Sequence, residues 1–497
     1  MAQLGQVIKR LVSKFATNMQ NGGSLFLFSK LDIKDSFWRM AVGDDKAWNF
    51  CYVLSSLTPV ENLDDIKIVV PNSLQMGWSK SPSFFCSGTE TARDVIQQLF
   101  TSNTVLQQHP FENIMLQEFI THGPAPSDAP RLNKPTDTTL LKVYVDNFYA
   151  ATNILDLHHL TRLSRCLIHG IHAVFPPPHI LGHNGEDPIS QKKLLEGEGT
   201  WSFWKEILGW IFDGRAGTIT LPQKKVKKIA TQITKILKQQ AVSLNKYQKL
   251  AGKLQHASFG LPGGPGLFSP IDVAMKGEPT IITLSPALRT CLMDWRYFIK
   301  FMGKNPTLVL QLTKQFPNYI GFSDACRLGA GGVLSRGSSI LYPVVWQVKW
   351  PPDIINRLVS QQNPQGDLTI NNLELAGMVL NWWLAFEGTG IQLKNRHIAT
   401  FCDNASAVSW AYKLRTSTSP TAGKLLRMLG IRIHACKLST ITPLSIPGAD
   451  NKMADVSSRA FKEGKFFMHP PPLFLISTHT FLCLRNSLGN STPFPPN

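Results

Sequence analysis

The sequence predicts a multidomain chain that mixes helices and strands, of the α+β or α/β class. Its 497 residues exceed one domain, and at roughly 100–200 residues per domain they make three to four units. Hydrophobic residues supply 43% and charged residues 17%, the balance of a chain that folds rather than one that stays disordered. Short apolar runs of strand length alternate with segments of helical spacing, most densely from Tyr319 to about Ala460.

The formal net charge of +18 says little about fold but points to polyanionic partners, which a basic surface attracts. Cys51, Cys86, Cys166, Cys291, Cys326, Cys402, Cys436 and Cys483 form no CxxC or zinc-finger spacing, so they read as free thiols of a reducing compartment. His179 and His183 stand in a Pro/Gly-rich loop without further ligands and read as solvated. The first residues hold no apolar run ahead of a small-residue cleavage site, so no secretory signal is expected. No stretch reaches the length of an uninterrupted apolar span; Leu473–Leu484 is short and broken by Ser, Thr and His. An intracellular place, cytoplasm or nucleus, is the expectation, with no membrane.

Punctuation sets the organisation. GPAPSDAPRLNKPTD (123–137) and the region of Pro176–Pro178 read as loops. GLPGGPGLFSP (260–270) cannot continue a helix and is the best boundary candidate. Ala287–Phe301 reads as a connecting helix. After Pro222, Val226, Ile229, Ile233 and Leu237 recur at helical spacing, with Lys225, Lys228, Lys235 and Lys238 largely on the other side. A solvated face explains those lysines as well as a phosphate-tracking face does. Beyond Phe461 the chain is rich in Pro, Ser and Thr and reads as poorly ordered.

Two sets of acids carry the chemistry. LFLFSKLDIKDSFWRM (25–40) starts as a buried strand and delivers Asp32 near its end. In LLKVYVDNFYA (140–150), Asp146-Asn147 reads alone as a two-residue hairpin turn, since both residue types tolerate positive φ. Between them, SLQMGWSKSPSFF opens a helix: Gly77 permits close backbone approach and Pro82 suits a first turn. In the second block, Asp324 lies on a strand followed by a Gly-rich turn and two further strands. Glu374 starts a helix whose inner side holds Leu373, Gly377 or Met378, Leu380 and Leu384. Asp403 ends a strand, and Asp455 lies at a final helix start. Singly, Glu374, Asp403 and Asp455 could be helix-capping carboxylates and Asp324 a turn residue.

In order, the first three segments resemble motifs A, B and C of reverse transcriptases. They look most like tyrosine-recombinase retroelements and related LTR-type retrotransposons, where Met stands beside Gly-Trp. EILGWIFDGRAGTITLP (206–222) resembles the primer grip, and the segment 245–271 resembles the join from thumb to ribonuclease H. The second acid set, with PGADNKMADVSSR, resembles ribonuclease H.

That resemblance implies a palm with truncated fingers (1–220), a thumb and connection (221–285), a connecting helix and linker (286–316), a ribonuclease H-like mixed five-stranded sheet with flanking helices (317–462) and a disordered tail (463–497). It implies two Mg²⁺ (or Mn²⁺) ions per active site, held by Asp32 and Asp146 and by Asp324, Glu374, Asp403 and Asp455. Phe37, Gln75, Met76, Gly77, Tyr144 and Asn147 would contact nucleotide or template, and Lys225, Lys228, Lys235 and Lys238 nucleic acid. The implied partners are RNA template, DNA primer, dNTP and RNA/DNA hybrid.

Two departures imply a weakened polymerase: Asn147 replaces the family's second Asp, and only 31 residues precede Asp32 where fingers would lie. The competing expectation is a decayed or co-opted fragment that only binds nucleic acid.

Overall fold

The computed structural model describes residues 4–20, 25–54, 62, 64, 66–123, 139–178, 185–314, 316–336, 339–387, 396–437 and 441–463. His179, His183 and the expected disordered tail (463–497) lie outside these residues, apart from Glu463. The chain divides into two compact units, Met1–Thr218 and Ile219–Asn497.

In the first unit, α1 (Leu4–Gln20) precedes β1 (Leu27–Asp32), whose residues are almost all buried. The long helix α2 (Ser81–Thr101) begins with Pro in its first turn, and α3 (Pro110–His122) follows. Strands β2 (Thr139–Tyr144) and β3 (Asn147–Thr152) complete an antiparallel sheet of order β1-β3-β2. α4 (Leu157–Val174) packs on α2, and Phe85, Ile96, Leu163, Leu167 and Ile171 join the sheet residues Leu31, Val143 and Phe148 in one core. The short α5 (Gln191–Leu195) precedes a hairpin of β4 (Trp204–Ile207) and β5 (Trp210–Asp213). That hairpin turns through Leu208 (φ 50) and Gly209 (φ 76), the positive pair that suits the twist of a two-residue turn.

The second unit opens with the basic helix α6 (Gln223–Leu237). Val226, Ile229, Ala230, Ile233 and Ile236 are its buried stripe; Leu237, expected in the stripe, is only half-buried because Ile236 turns inward at the last contact. α7 (Leu244–Ala257) and α9 (Pro286–Met302) pack on α6, with the short α8 (Ser269–Met275) between them in sequence. The Gly-rich stretch is not an open linker: Gly264–Phe268 forms a buried 3₁₀ turn.

Then comes a mixed five-stranded sheet: β6 (Tyr319–Ala325), β7 (Gly329–Arg336), β8 (Ser339–Lys349), β9 (Ile398–Cys402) and β10 (Ile441–Ser445). The order is β8-β7-β6-β9-β10; the first three strands pair antiparallel, and β9 runs parallel to β6 and to β10. The connecting helices are α10 (Ile370–Glu387), α11 (Ala405–Lys413), α12 (Pro420–Ala435) and α13 (Lys452–Glu463). α10 was expected to bury one side, yet every residue from Leu373 to Leu384 is buried, because α11 and α12 cover what the sheet does not.

Gly329, Gly331 and Gly332 lie in strand β7 rather than in a turn. A Cβ on Gly331 would stand 2.4 Å from the Ser458 nitrogen, so its absence lets α13 press against the strand. Ala330, its neighbour, faces α10, so the two helices cover opposite faces of the sheet.

Candidate active sites

Each acid set is brought to a strand end by its own sheet. In the first unit, Asp32 closes β1 and its register partner is Asn147. Asn147 also pairs with Tyr144, so the two turn residues are Val145 and Asp146, one position earlier than the expected Asp146-Asn147 turn. Pairing on both sides commits Asn147 to the strand. The left-handed conformation falls on Val145 (φ 57), an uncommon place for a β-branched side chain.

Asp32, Asp146, Phe37, Met76, Ser190 and Lys193 line a cleft of about 300 Å³. Phe37 is held there edge-on to Phe85, with ring centroids 5.3 Å apart, whereas Met76 is 70% exposed. Gln75, Gly77, Tyr144 and Asn147 do not line the cleft. Gln75 is turned into its own loop: its side-chain amide donates to the Ser73 carbonyl (3.0 Å) and its backbone carbonyl accepts from Ser81 Oγ (2.7 Å). Gly77 serves through its φ of 104, with open space where a Cβ would be.

Sequence reasoning missed Lys193. Its Nζ lies 2.6 Å from Oδ2 of the buried Asp32. Burial pushes the Asp32 carboxyl above its usual range, the Lys193 hydrogen bond opposes that, and the Asp146 charge adds to it. Burial works against the Lys193 ammonium, yet the bond to Asp32 holds it above the usual lysine value. Asn147 Nδ2 donates to Asp146 Oδ1 at 2.6 Å. Lys193 brings its own positive charge onto Asp32, and Asn147 supplies an amide instead of a further carboxylate. A cleft that neutralises one of its acids with a cation of the chain is a poor fit for a pair of Mg²⁺ ions.

The second unit differs. Asp324 lies on the central strand β6 and Glu374 one turn into α10, both only 5% exposed. Asp403 follows β9 immediately and is exposed; Asp455 is half-buried in the first turn of α13. Glu374 thus lies too deep to cap its helix. Its carboxylate accepts from the Ala325 N–H and from the Cys402 thiol, with Sγ 3.7 Å from Oε2. Asp403, Cys402 and Glu374 place one ligand atom each within 4.8 Å of the others. Ser458 Oγ donates to Asp324 Oδ2, and Arg459 Nε lies 2.6 Å from Asp455 Oδ1. Asn451 Nδ2 donates to the Ser323 carbonyl at 3.0 Å and fixes the loop whose Gly448 abuts Asp403.

The four acids feel one another. Burial, then the charges of Asp324 and Asp403, push Glu374 up to about 9. Burial also raises Asp324, against Ser458, and the charges of Asp403 and Asp455 add to the effect. Crowded hard oxygens that bind protons this tightly are what a divalent cation relieves, and the donor set fits Mg²⁺ or Mn²⁺.

The four lysines singled out on α6 divide: Lys228, Lys235 and Lys238 are exposed and Lys225 is half-buried, while Lys224 and Lys227 are further exposed cations. The cysteines among the described residues are free thiols, and no helix among these residues is long and apolar enough to cross a membrane.

Among solved structures, the chain is similar to the foamy viral protease-reverse transcriptase. Against its complex with double-stranded DNA the identity is 12%, over 84% of this chain and 56% of that one, with a TM-score of 0.38. Against its complex with an RNA/DNA hybrid the identity is 12%, over 90% and 47%, with a TM-score of 0.37. The native prototype foamy virus enzyme matches at 11% identity over 86% and 45%, with a TM-score of 0.21. The chain thus spans about half the length of these matched chains. No protein-family model matches the chain, and no curated protein does.

Proposed function

We propose that this chain is a piece of a retroelement reverse transcriptase whose working activity is ribonuclease H-type hydrolysis of the RNA strand in RNA/DNA hybrids. The observation that carries the proposal is the convergence of Asp324, Glu374, Asp403 and Asp455 at the ends of β6 and β9 and the starts of α10 and α13. These four would hold two Mg²⁺ ions, which supply charge neutralisation at the scissile phosphate and an acidified water. The chain's own residues hold the acids in place: Ser458 orients Asp324, Arg459 orients Asp455, and the Ala325 N–H orients Glu374.

The N-terminal unit, read as a palm, serves chiefly to hold template and primer, with dNTP incorporation impaired. Lys193 on Asp32 and the amide of Asn147 on Asp146 support that assignment. The lineage of tyrosine-recombinase retroelements accords with the Met76-Gly77-Trp78 run.

The test is Mg²⁺-dependent cleavage of a labelled RNA/DNA hybrid by the purified chain, with Asp403→Asn as control. Cleavage lost in the variant while hybrid binding persists supports the proposal. Hybrid binding that needs no Mg²⁺, with no cleavage, would make the chain a decayed or co-opted nucleic-acid binder.

A further inference from the structure

Away from both acid sets, the N-terminal unit gathers imidazoles round one carboxylate. His109 precedes α3, His172 sits in the last turn of α4, and Asp187 lies on the loop that leads to α5. All three are half-buried, and one ligand atom from each lies within 4.8 Å of the other two. His172 Nε2 is 3.1 Å from Asp187 Oδ1, and the His109 and His172 ring centroids are 5.3 Å apart. The Ile189 N–H donates to the same Asp187 oxygen at 2.8 Å, so the loop itself orients the carboxylate.

Two imidazoles and a carboxylate from three separate segments make a donor set for a borderline-soft ion. Zn²⁺ takes histidine nitrogens at about 2.0–2.1 Å and carboxylate oxygens at about 2.0–2.2 Å. Adjacent ligands of such an ion lie roughly 3.0–3.4 Å apart, which the His172–Asp187 spacing satisfies. Mg²⁺ and Ca²⁺ would prefer oxygens throughout.

The ion has modest competition. Without it, His172 Nε2–H can donate to Asp187, and His109 Nδ1 accepts the Phe111 N–H at 3.2 Å, a long and therefore weak cap. His169, one turn earlier, is engaged with the Gln107 carbonyl at 2.9 Å, which leaves the fourth position to water.

We propose that His109, His172 and Asp187 form a binding site for a divalent transition-metal ion of the Zn²⁺ class, which staples the Asp187 loop to two helices. The loop runs directly to the first acid pair: Lys34 N–H donates to the Pro188 carbonyl at 2.8 Å, and Ser190 N–H donates to the Asp32 carbonyl at 2.9 Å. The staple is structural and independent of the hydrolytic site.

Co²⁺ titration of the chelator-treated full chain tests it, because a low-coordinate Co²⁺ site absorbs visibly where Mg²⁺ sites are silent. The expected result is a visible band that Zn²⁺ displaces, lost in His172→Ala and Asp187→Asn and retained in Asp403→Asn. His109→Gln keeps an acceptor for the Phe111 N–H without an imidazole, so it should fold like the parent by circular dichroism. It should bind Co²⁺ about tenfold or more weakly. No band in the parent, or a band unchanged in His109→Gln and His172→Ala, overturns the assignment.

Discussion

Lys193 Nζ lies 2.6 Å from Asp32 Oδ2, in the cleft where the first two carboxylates meet. The lysine is a tethered cation standing where a metal ion would be sought. Its side chain is 41% exposed while that of Asp32 is buried, so taking the ammonium away leaves a buried carboxylate without its counter-charge. Asn147 compounds the effect by contributing an amide where a third negative charge would draw in divalent ions. Combining Lys193→Met with Asn147→Asp should therefore raise Mn²⁺ binding and Mn²⁺-supported primer extension by roughly tenfold, about 1.4 kcal/mol. Without metal, the same variant should melt earlier than the parent, because its acids have lost their counter-charge. Stronger Mn²⁺ binding without extension would mean that Lys193 and Asn147 are not what limits extension.

Glu374 makes metal-free stability depend on pH. Its carboxyl stands at about 9 in the folded chain against 4.5 for an ordinary glutamate. Below about pH 4.5 both states are protonated and folding costs nothing extra. As pH rises towards 9, the unfolded chain releases the proton while the folded chain keeps it, so stability falls across that window. Thermal melts from about pH 5 to 9 should show the Tm declining without metal, and Mg²⁺ should flatten the decline. Glu374→Gln should make the decline shallower without Mg²⁺, the raised Asp324 keeping a share of it, and should abolish cleavage. A parent Tm that does not fall with pH in metal-free buffer would mean that the acids are not crowded.

Ser458 is fully buried, and its hydroxyl reaches both Asp324 Oδ2 and, at 3.0 Å, the Asp455 carbonyl. Removing a hydrogen bond that aims a metal-binding carboxylate typically weakens metal affinity by about 10- to 100-fold. Ser458→Ala should therefore shift the Mg²⁺ concentration for half-maximal hybrid cleavage upward by that order, with much of the rate returning at high Mg²⁺. A lower rate that Mg²⁺ does not rescue would point to a collapsed helix packing rather than a mis-aimed Asp324.

The strands that carry these acids were legible because each is an apolar run ending at a carboxylate, and alternation with helices marked the mixed sheet. What stayed hidden depends on contacts distant in sequence. Lys193 looks like one cation in a polar stretch until α5 brings it to Asp32. Gly331 signals a turn locally, and only the arrival of α13 shows why a strand there lacks a side chain. Val145 is an improbable turn residue, yet the pairing of Asn147 with both Asp32 and Tyr144 pushes the turn onto it. The His109–His172–Asp187 group draws on three segments whose spacing carries no local pattern.

The lysine face of α6 offers a test of substrate contact that leaves folding alone. Val226, Ile229, Ala230, Ile233 and Ile236 hold the helix down, whereas Lys228, Lys235 and Lys238 are exposed and bury nothing in its core. Each phosphate contact by a lysine releases counterions and contributes about 0.9 to the slope of log affinity against log salt on duplex DNA. Replacing all three by Gln should make the slope for hybrid binding shallower by about two to three, with stability changed by no more than about 0.5 kcal/mol per site. Lys225 is half-buried and is left in place so that packing is not disturbed. A slope that does not move would assign these lysines to an ordinary solvated face and send the search for the binding surface elsewhere on this +18 chain.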